Sequence, residues 1–399
     1  MKVLILSPGY EPVIGGAETY ALSLAQGLVR AGHEVTVATD GLPGQTGERR
    51  DQVGVLVVRV PRPDGWADRG DTLLWEQMMF GLLARLEPLA RAADVIHANS
   101  HDTALTASML AVGTGRPAVA TFHEGDPESE PSGTGRCRLV YGMLPLANII
   151  CGSRHYLDMA VRNGSAGRET LVPHGIDCHR FSRGDRRAAR RELDLPEHGP
   201  ILVCGARFKR KKGLLELVDA LTELVAGRTG PVHAVLAGTA NSGSLHYEQT
   251  LRNRISELEL DKIVSVRTDL GWQQMPTLWR AADVAVQPSY SEGLGLSVLE
   301  AMASELPVIG TDVSGLREII THGVTGLLVP ARDTRALAAA LARVLDDVAL
   351  ATHLAEGGLQ FVRDNHNLAH TLAATVAVYQ SACERLSITS ASTGGGDSR

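Results

Sequence analysis

Two successive trains of short apolar runs, each run followed by a loop and a helical stripe, leave few architectures open to these 399 residues. Residues 3–6 (Val-Leu-Ile-Leu) are the first run and residues 8–16 form a loop rich in Gly and Pro. Residues 17–30 follow with Ala21, Leu24, Ala25 and Leu28 at helical spacing. Gly32 closes that helix, and residues 34–39 read as the next strand. Such a unit builds a parallel sheet with helices on both faces. The spacing predicts further strands at 53–60, 95–98, 118–122, 148–151 and 170–172. A polar, Arg-rich stretch over 178–200 then breaks the rhythm in the manner of a linker. The second train predicts strands at 201–204, 232–237, 263–266, 284–287, 308–310 and 326–329, with Leu214, Leu217, Val218, Leu221 and Leu224 as one helical stripe.

The expected fold class is therefore α/β, two doubly wound domains in tandem, which agrees with about 150 residues per domain. The divisions fall at 1–178 for the first domain, 179–200 for the linker and 201–365 for the second domain. Residues 366–386 read as a last helix crossing back to the first domain (Leu368, Leu372, Val376, Tyr379, Cys383), and 387–399 as a disordered tail. Open parallel sheets hold ligands outside the carboxyl ends of their strands, so the chemistry is expected in the loops that follow strands.

Composition narrows the partners. A net charge of −6 with 21% charged residues argues against a nucleic-acid binder, which shows a strong basic excess. Five cysteines (Cys137, Cys151, Cys178, Cys204, Cys383) without a Cys-x-x-Cys pair suit neither a disulfide framework nor a zinc site, and fit a reducing cytoplasm. The start meets Pro8 and Gly9 too soon for a signal peptide, and no apolar run approaches the ~20 residues of a membrane span.

Three loops carry chemistry. Gly15-Gly16 opens the first helix, where backbone N–H groups and the helix dipole favour an anion, although a plain tight turn reads equally well. The spacing is not Gly-x-Gly-x-x-Gly, and no Walker A sequence appears. After the strand at 201–204 comes Gly205-Ala206-Arg207-Phe208-Lys209-Arg210-Lys211-Lys212-Gly213. Its place at a strand end favours phosphate contact by Arg207, a planar fork of donors, and Lys212, a compact point charge. Lys209, Arg210 and Lys211 read as solvated. The third segment, residues 289–302, enters a helix with Gly293 and Gly295 at its start, Glu292 before it and Glu300 eight residues on. At ~1.5 Å per residue the two carboxylates stand roughly 12 Å apart at most, a span that suits a sugar at one end and a ribose at the other. The plainer reading makes Glu292 a solvated loop residue and Glu300 a helix-surface one.

These motifs make the chain resemble the retaining nucleotide-sugar glycosyltransferases of the GT-B fold, in the fourth sequence family of glycosyltransferases (glycosyl transferases group 1). The resemblance runs from Gly15-Gly16-Ala17-Glu18 to the segment 323–329, and its most specific parts are Glu292-x7-Glu300 and Arg207 with Lys212. It implies two Rossmann-like domains facing across a cleft and a hexosyl-type transferase that uses a nucleoside-diphosphate sugar, with no metal ion and no cofactor. Arg207 and Lys212 would hold the diphosphate, helped by amides near Gly295 and Leu296, with Gly16 approaching from the first domain. Glu300 would hold the ribose and Glu292 the donor sugar. His123, after a first-domain strand, matches the family's active-site histidine. His174 stands where the family often has Asn. His97 and His101 read as structural or acceptor-lining.

The acceptor is expected to be a small molecule, a glycan or a lipid-linked one, met by first-domain loops. The acidic stretch Glu124, Asp126, Glu128, Glu130 would favour an amine-bearing acceptor over a phosphorylated one. The stripe Leu73, Leu74, Met78, Met79, Leu82, Leu83 reads as a buried helix face, with contact to a membrane surface left open. A nucleotide-sugar epimerase of the same fold and a non-catalytic sugar-nucleotide-binding protein are the alternatives.

Overall fold

The apolar runs become strands buried on both faces, as expected where helices cover a parallel sheet from each side. The computed structural model describes residues 1–13, 15–42, 45–61, 72–123, 133–238 and 245–393. The chain divides into two compact units: one of Met1–Val13, Ala17–Pro173 and Ala369–Arg399, the other of Ile14–Gly16 and His174–Leu368.

The first unit holds an eight-stranded sheet: β1 (Lys2–Ser7), β2 (Glu34–Asp40), β3 (Gly47–Arg50), β4 (Leu56–Val60), β5 (Val95–Ala98), β6 (Ala118–Thr121), β7 (Asn148–Cys151) and β8 (Glu169–Leu171). Their order is β3-β4-β2-β1-β5-β6-β7-β8, parallel throughout except for β3 against β4. The helix Gly16–Arg30 buries Ala21, Leu24, Ala25 and Leu28, the stripe its spacing predicts. Gly27 on that helix faces the last helix, Leu368–Thr393, where a Cβ would come within 2.5 Å of Leu372 Cδ1. The last helix therefore packs on the first unit, burying Val378, Tyr379 and Ala382.

The second unit holds six parallel strands: β9 (Ile201–Gly205), β10 (His233–Ala237), β11 (Val264–Arg267), β12 (Val284–Gln287), β13 (Val308–Thr311) and β14 (Leu327–Val329), in the order β11-β10-β9-β12-β13-β14. The strand order reverses direction between β9 and β12, the switch point where a crevice opens in sheets of this kind. The helix Leu214–Ala226 packs Leu214, Leu217, Val218, Leu221 and Leu224 into the core beside β9 and β10.

Several expectations need correction. The strand predicted over 53–60 begins only at Leu56, because the Asp51 carboxylate accepts the N–H groups of Val53, Gly54 and Val55 and bends the backbone into a turn. The edge strand β3 went unpredicted, its four residues Gly-Glu-Arg-Arg being polar and exposed. The linker-like stretch folds into the second unit. Asp185 caps the helix Arg186–Glu192, and Arg190, 4% exposed, pairs with Asp283 at 2.5 Å. The expected tail from 387 is helical as far as Thr393, the remainder lying outside the described residues. Glu124, Asp126, Glu128 and Glu130 also lie outside them, as do the side chains of Leu73, Leu74 and Met78. On the helix Thr72–Ala92, Met79, Leu82 and Leu83 are half-buried and Leu86 and Ala90 buried.

Candidate functional site

At the switch point of the second unit, the loops after β9 and β12 are stitched together. Phe208, fully buried, anchors the first loop to the core. A 3-10 turn, Arg210–Lys212, then leads to Gly213 at φ 67°. A Cβ there would lie 2.0 Å from the carbonyl oxygen of Pro288, so only glycine lets the two loops approach. The Tyr290 N–H donates to the Lys211 carbonyl at 2.7 Å, closing the seam. Lys209 and Arg210 are exposed, as expected, but Lys211 is half-buried. Burial and the neighbouring charges of Lys212, Lys209 and Arg207 push its ammonium below the usual lysine range. Arg207 is half-buried and has no ion-pair partner among the described residues.

Glu292 is buried rather than solvated. Its Oε1 accepts from Lys212 Nζ at 2.6 Å, Ser289 Oγ at 2.7 Å and Gln287 Nε2 at 2.9 Å. Ser297 Oγ donates to Gln287 Oε1 at 3.0 Å, which fixes the amide so that its N–H₂ faces Glu292. Gly295, at φ 100°, caps the helix Leu296–Ala303, and the Leu296 and Ser297 amides lead that helix with no intrahelical acceptor. Glu300 lies one turn and more into the helix, 6% exposed rather than on its surface. Trp279 Nε1 donates to its Oε2 at 3.1 Å. Burial pushes the Glu300 carboxyl up to about 7, against the pull of that hydrogen bond and of the Arg180 charge. The structure thus gathers Arg207, Lys212, Glu292, Gly295, Leu296 and Glu300 on one switch point. Gln287, Ser289, Ser297 and Trp279 went unforeseen. The one cue was a glutamine ending an otherwise apolar strand.

Gly16, the first residue of the helix after β1, belongs to the second unit, and His123 follows β6 in the first. Asn99, after β5, donates through Nδ2 to the Ala17 carbonyl at 2.9 Å and to Ser7 Oγ at 3.2 Å. Its Oδ1 must then face His123 Nε2, 2.9 Å away, so that Nε2 carries the proton. The Tyr20 ring lies 4.9 Å from the imidazole, and Tyr156 Oη donates to the His123 carbonyl. His97 is fully buried between Tyr379 Oη and Thr121 Oγ1, its pKa lowered by burial to about 3, and His101 is buried against Phe122 and Tyr141. Both are structural. His174 is buried at the start of the second unit, where its carbonyl accepts from His366 Nδ1 at 2.7 Å. Among the described residues no three of His, Cys, Asp and Glu converge as metal ligands, and no helix is long and apolar enough to cross a membrane.

Two doubly wound units, one with cations, open amides and two carboxylates at its switch point, define the class: an α/β protein of the GT-B fold, equipped at one site for an anion and a polyhydroxylated group. Residues 185–361 match the family model described as glycosyl transferases group 1, and residues 14–180 the model described as glycosyltransferase family 4. The chain belongs to this glycosyltransferase family. The lipopolysaccharide core biosynthesis mannosyltransferase LpsB of Rhizobium meliloti is 33% identical over 216 residues, 53% of this chain, and the match spans only 60% of that relative's length. D-inositol 3-phosphate glycosyltransferase 2 of Catenulispora acidiphila is 29% identical over 93% of this chain and 84% of its own. Anabaena HepE, solved in complex with UDP and glucose, superposes with a TM-score of 0.79 at 21% identity, covering 96% of this chain and all of HepE, a likeness of fold.

Proposed function

We propose that the protein is a retaining glycosyltransferase that moves a hexosyl group from a nucleoside-diphosphate sugar to an acceptor hydroxyl without a metal ion. The observation that carries this reading is the ion pair of Lys212 and Glu292 across the joined loops, a cation suited to phosphate beside a carboxylate suited to sugar hydroxyls. Arg207, Lys212 and the Leu296 end of the helix meet the diphosphate, and the ribose hydroxyls donate to Glu300. HepE has been solved with UDP and glucose and with UDP-glucose, which supports a donor of this class.

In the transfer step the bond from the sugar C1 to the phosphate oxygen breaks and the nucleoside diphosphate leaves with the electron pair. The acceptor oxygen bonds to C1 on the same face and passes its proton to the leaving phosphate. Charge therefore grows on the diphosphate, where Arg207, Lys212 and the helix dipole are worth most. Glu292 Oε1 already accepts three hydrogen bonds, which suits a positioning role better than attack on C1. His123, with its tautomer set by Asn99, and Gly16 complete the set of residues assigned to the donor in this reading.

Incubation with a panel of nucleotide sugars, with and without chelator, tests this. Donor-dependent release of nucleoside diphosphate is expected, unchanged by chelation, with an acceptor product of retained anomeric configuration. Release from none of the donors sinks the reading. Arg207→Ala and Lys212→Ala should each lower turnover by about 10²-fold, the scale for losing one donor aimed at developing charge. Lys209→Ala should change it little, and equal losses in all three would mean that the run acts as a diffuse patch.

A further inference from the structure

Trp279, on the helix Met275–Ala281, touches the donor site at two points. Its indole N–H donates to Glu300 Oε2 at 3.1 Å, and its ring lies under the end of β9, where a Cβ on Gly205 would come within 3.0 Å of Cζ2. The ring is 1% exposed, so packing on all sides fixes the direction of the N–H. The hydrogen bond occupies Oε2 and stops the carboxylate from rotating. We propose that Trp279 is a positioning residue of the donor site, holding Glu300 so that Oε1 is presented to the ribose hydroxyls of a nucleoside diphosphate. This rests on the reading of Glu300 as the ribose ligand.

The surroundings make that bond matter. The elements packed on the helix Leu296–Ala303 are Met275–Ala281, β12, β13 and Val348–Asn365. β12 and β13 carry no titratable side chain, Arg280 of Met275–Ala281 is half-buried and donates to the Ser182 and Arg180 carbonyls, and on Val348–Asn365 His353, Glu356, Arg363 and Asp364 are all exposed. The groups that favour an ionised Glu300 are therefore the Trp279 N–H first and then Arg180, which is stacked 3.2 Å over the Trp272 ring. A protonated Glu300 would lose acceptor capacity toward the ribose. Nucleotide affinity should thus fall as pH drops through about 7, and removing the indole N–H should move that midpoint upward.

The test is calorimetric titration of the full chain with UDP, GDP and ADP between pH 5.5 and 8.5, continued with the tightest of the three. Trp279→Phe should weaken binding roughly tenfold at neutral pH, the scale for one hydrogen bond to a charged group, and raise the pH midpoint. In a Glu300→Ala background the same substitution should have no further effect. Equal weakening in both backgrounds, or an unchanged affinity and midpoint while Glu300→Ala still weakens binding, overturns the proposal. If Glu300→Ala leaves affinity untouched, or no nucleotide binds the wild type, the ribose reading itself fails and the proposal with it. Should Trp279→Phe fail to fold, benzothienylalanine at that position keeps the ring and lacks the N–H, and the same outcomes decide.

Discussion

Glu300 illustrates how one residue trades stability for function. Its folded carboxyl titrates near 7, against 4.5 for the free side chain. The folded state therefore holds a proton that the unfolded state releases, so stability falls as pH rises from about 4.5 to about 7. Glu300→Gln should stabilise the ligand-free protein by about 3 kcal/mol at pH 8 and by little at pH 4.5, while weakening nucleotide binding. Urea unfolding at the two pH values checks the sign, and a loss of stability at pH 8 would contradict it. Lys212 poses the opposite case. Removing it leaves Glu292 buried without its cation, so Lys212→Ala should destabilise by roughly 3 kcal/mol, whereas exposed Lys209→Ala should stay within about 0.5.

Among the elements, the seam between the loops after β9 and β12 depends on backbone shape. Gly213→Ala places a Cβ 2.0 Å from a carbonyl oxygen at a positive φ, and neither backbone can yield without opening the seam. A loss above about 2 kcal/mol, together with weakened nucleotide binding, is expected. Gly113 on the helix His101–Thr114 has open space where a Cβ would go, so Gly113→Ala should stabilise by about 0.5–1 kcal/mol. Melting curves of the two variants should move in opposite directions. The strands on either side of the seam were legible because each is an apolar run, interrupted in β12 only by its last residue Gln287, and closed by Gly or Pro. The helix Arg186–Glu192 was not. Its arginines read as part of a linker, and only Asp283, 93 positions on in sequence from Arg190, makes one of them a core residue.

For the whole molecule, the last helix shows that sequence neighbours need not share a core. Residues 369–393 complete the first unit, burying Val378 and Tyr379 and packing Leu372 on Gly27. Two or three such side chains at about 1.5–3 kcal/mol each approach the 5–15 kcal/mol stability of a domain. Truncation after Leu368 should therefore unfold the first unit while the second, 174–368, keeps its core. Hydrogen exchange resolved by unit would show protection lost in one and kept in the other. Equal loss in both would mean that the helix serves the whole chain.

Periodicity and loop chemistry are local properties, so the two α/β trains, their strand-end loops and the cations proposed to meet a diphosphate could be read along the chain. The carboxylates Glu292 and Glu300 were also visible in it as a spaced pair. Tertiary packing alone buries both, crowds Gln287, Ser289 and Lys212 around one oxygen of Glu292, and brings Trp279 to one oxygen of Glu300. The partners Lys212 and Glu292 lie 80 positions apart, and Asn99 and His123 are 24 apart. Burial and hydrogen-bond partnership depend on which strands lie side by side, and that order, β9 beside β12 and β1 beside β5, is set by the packing of the whole sheet.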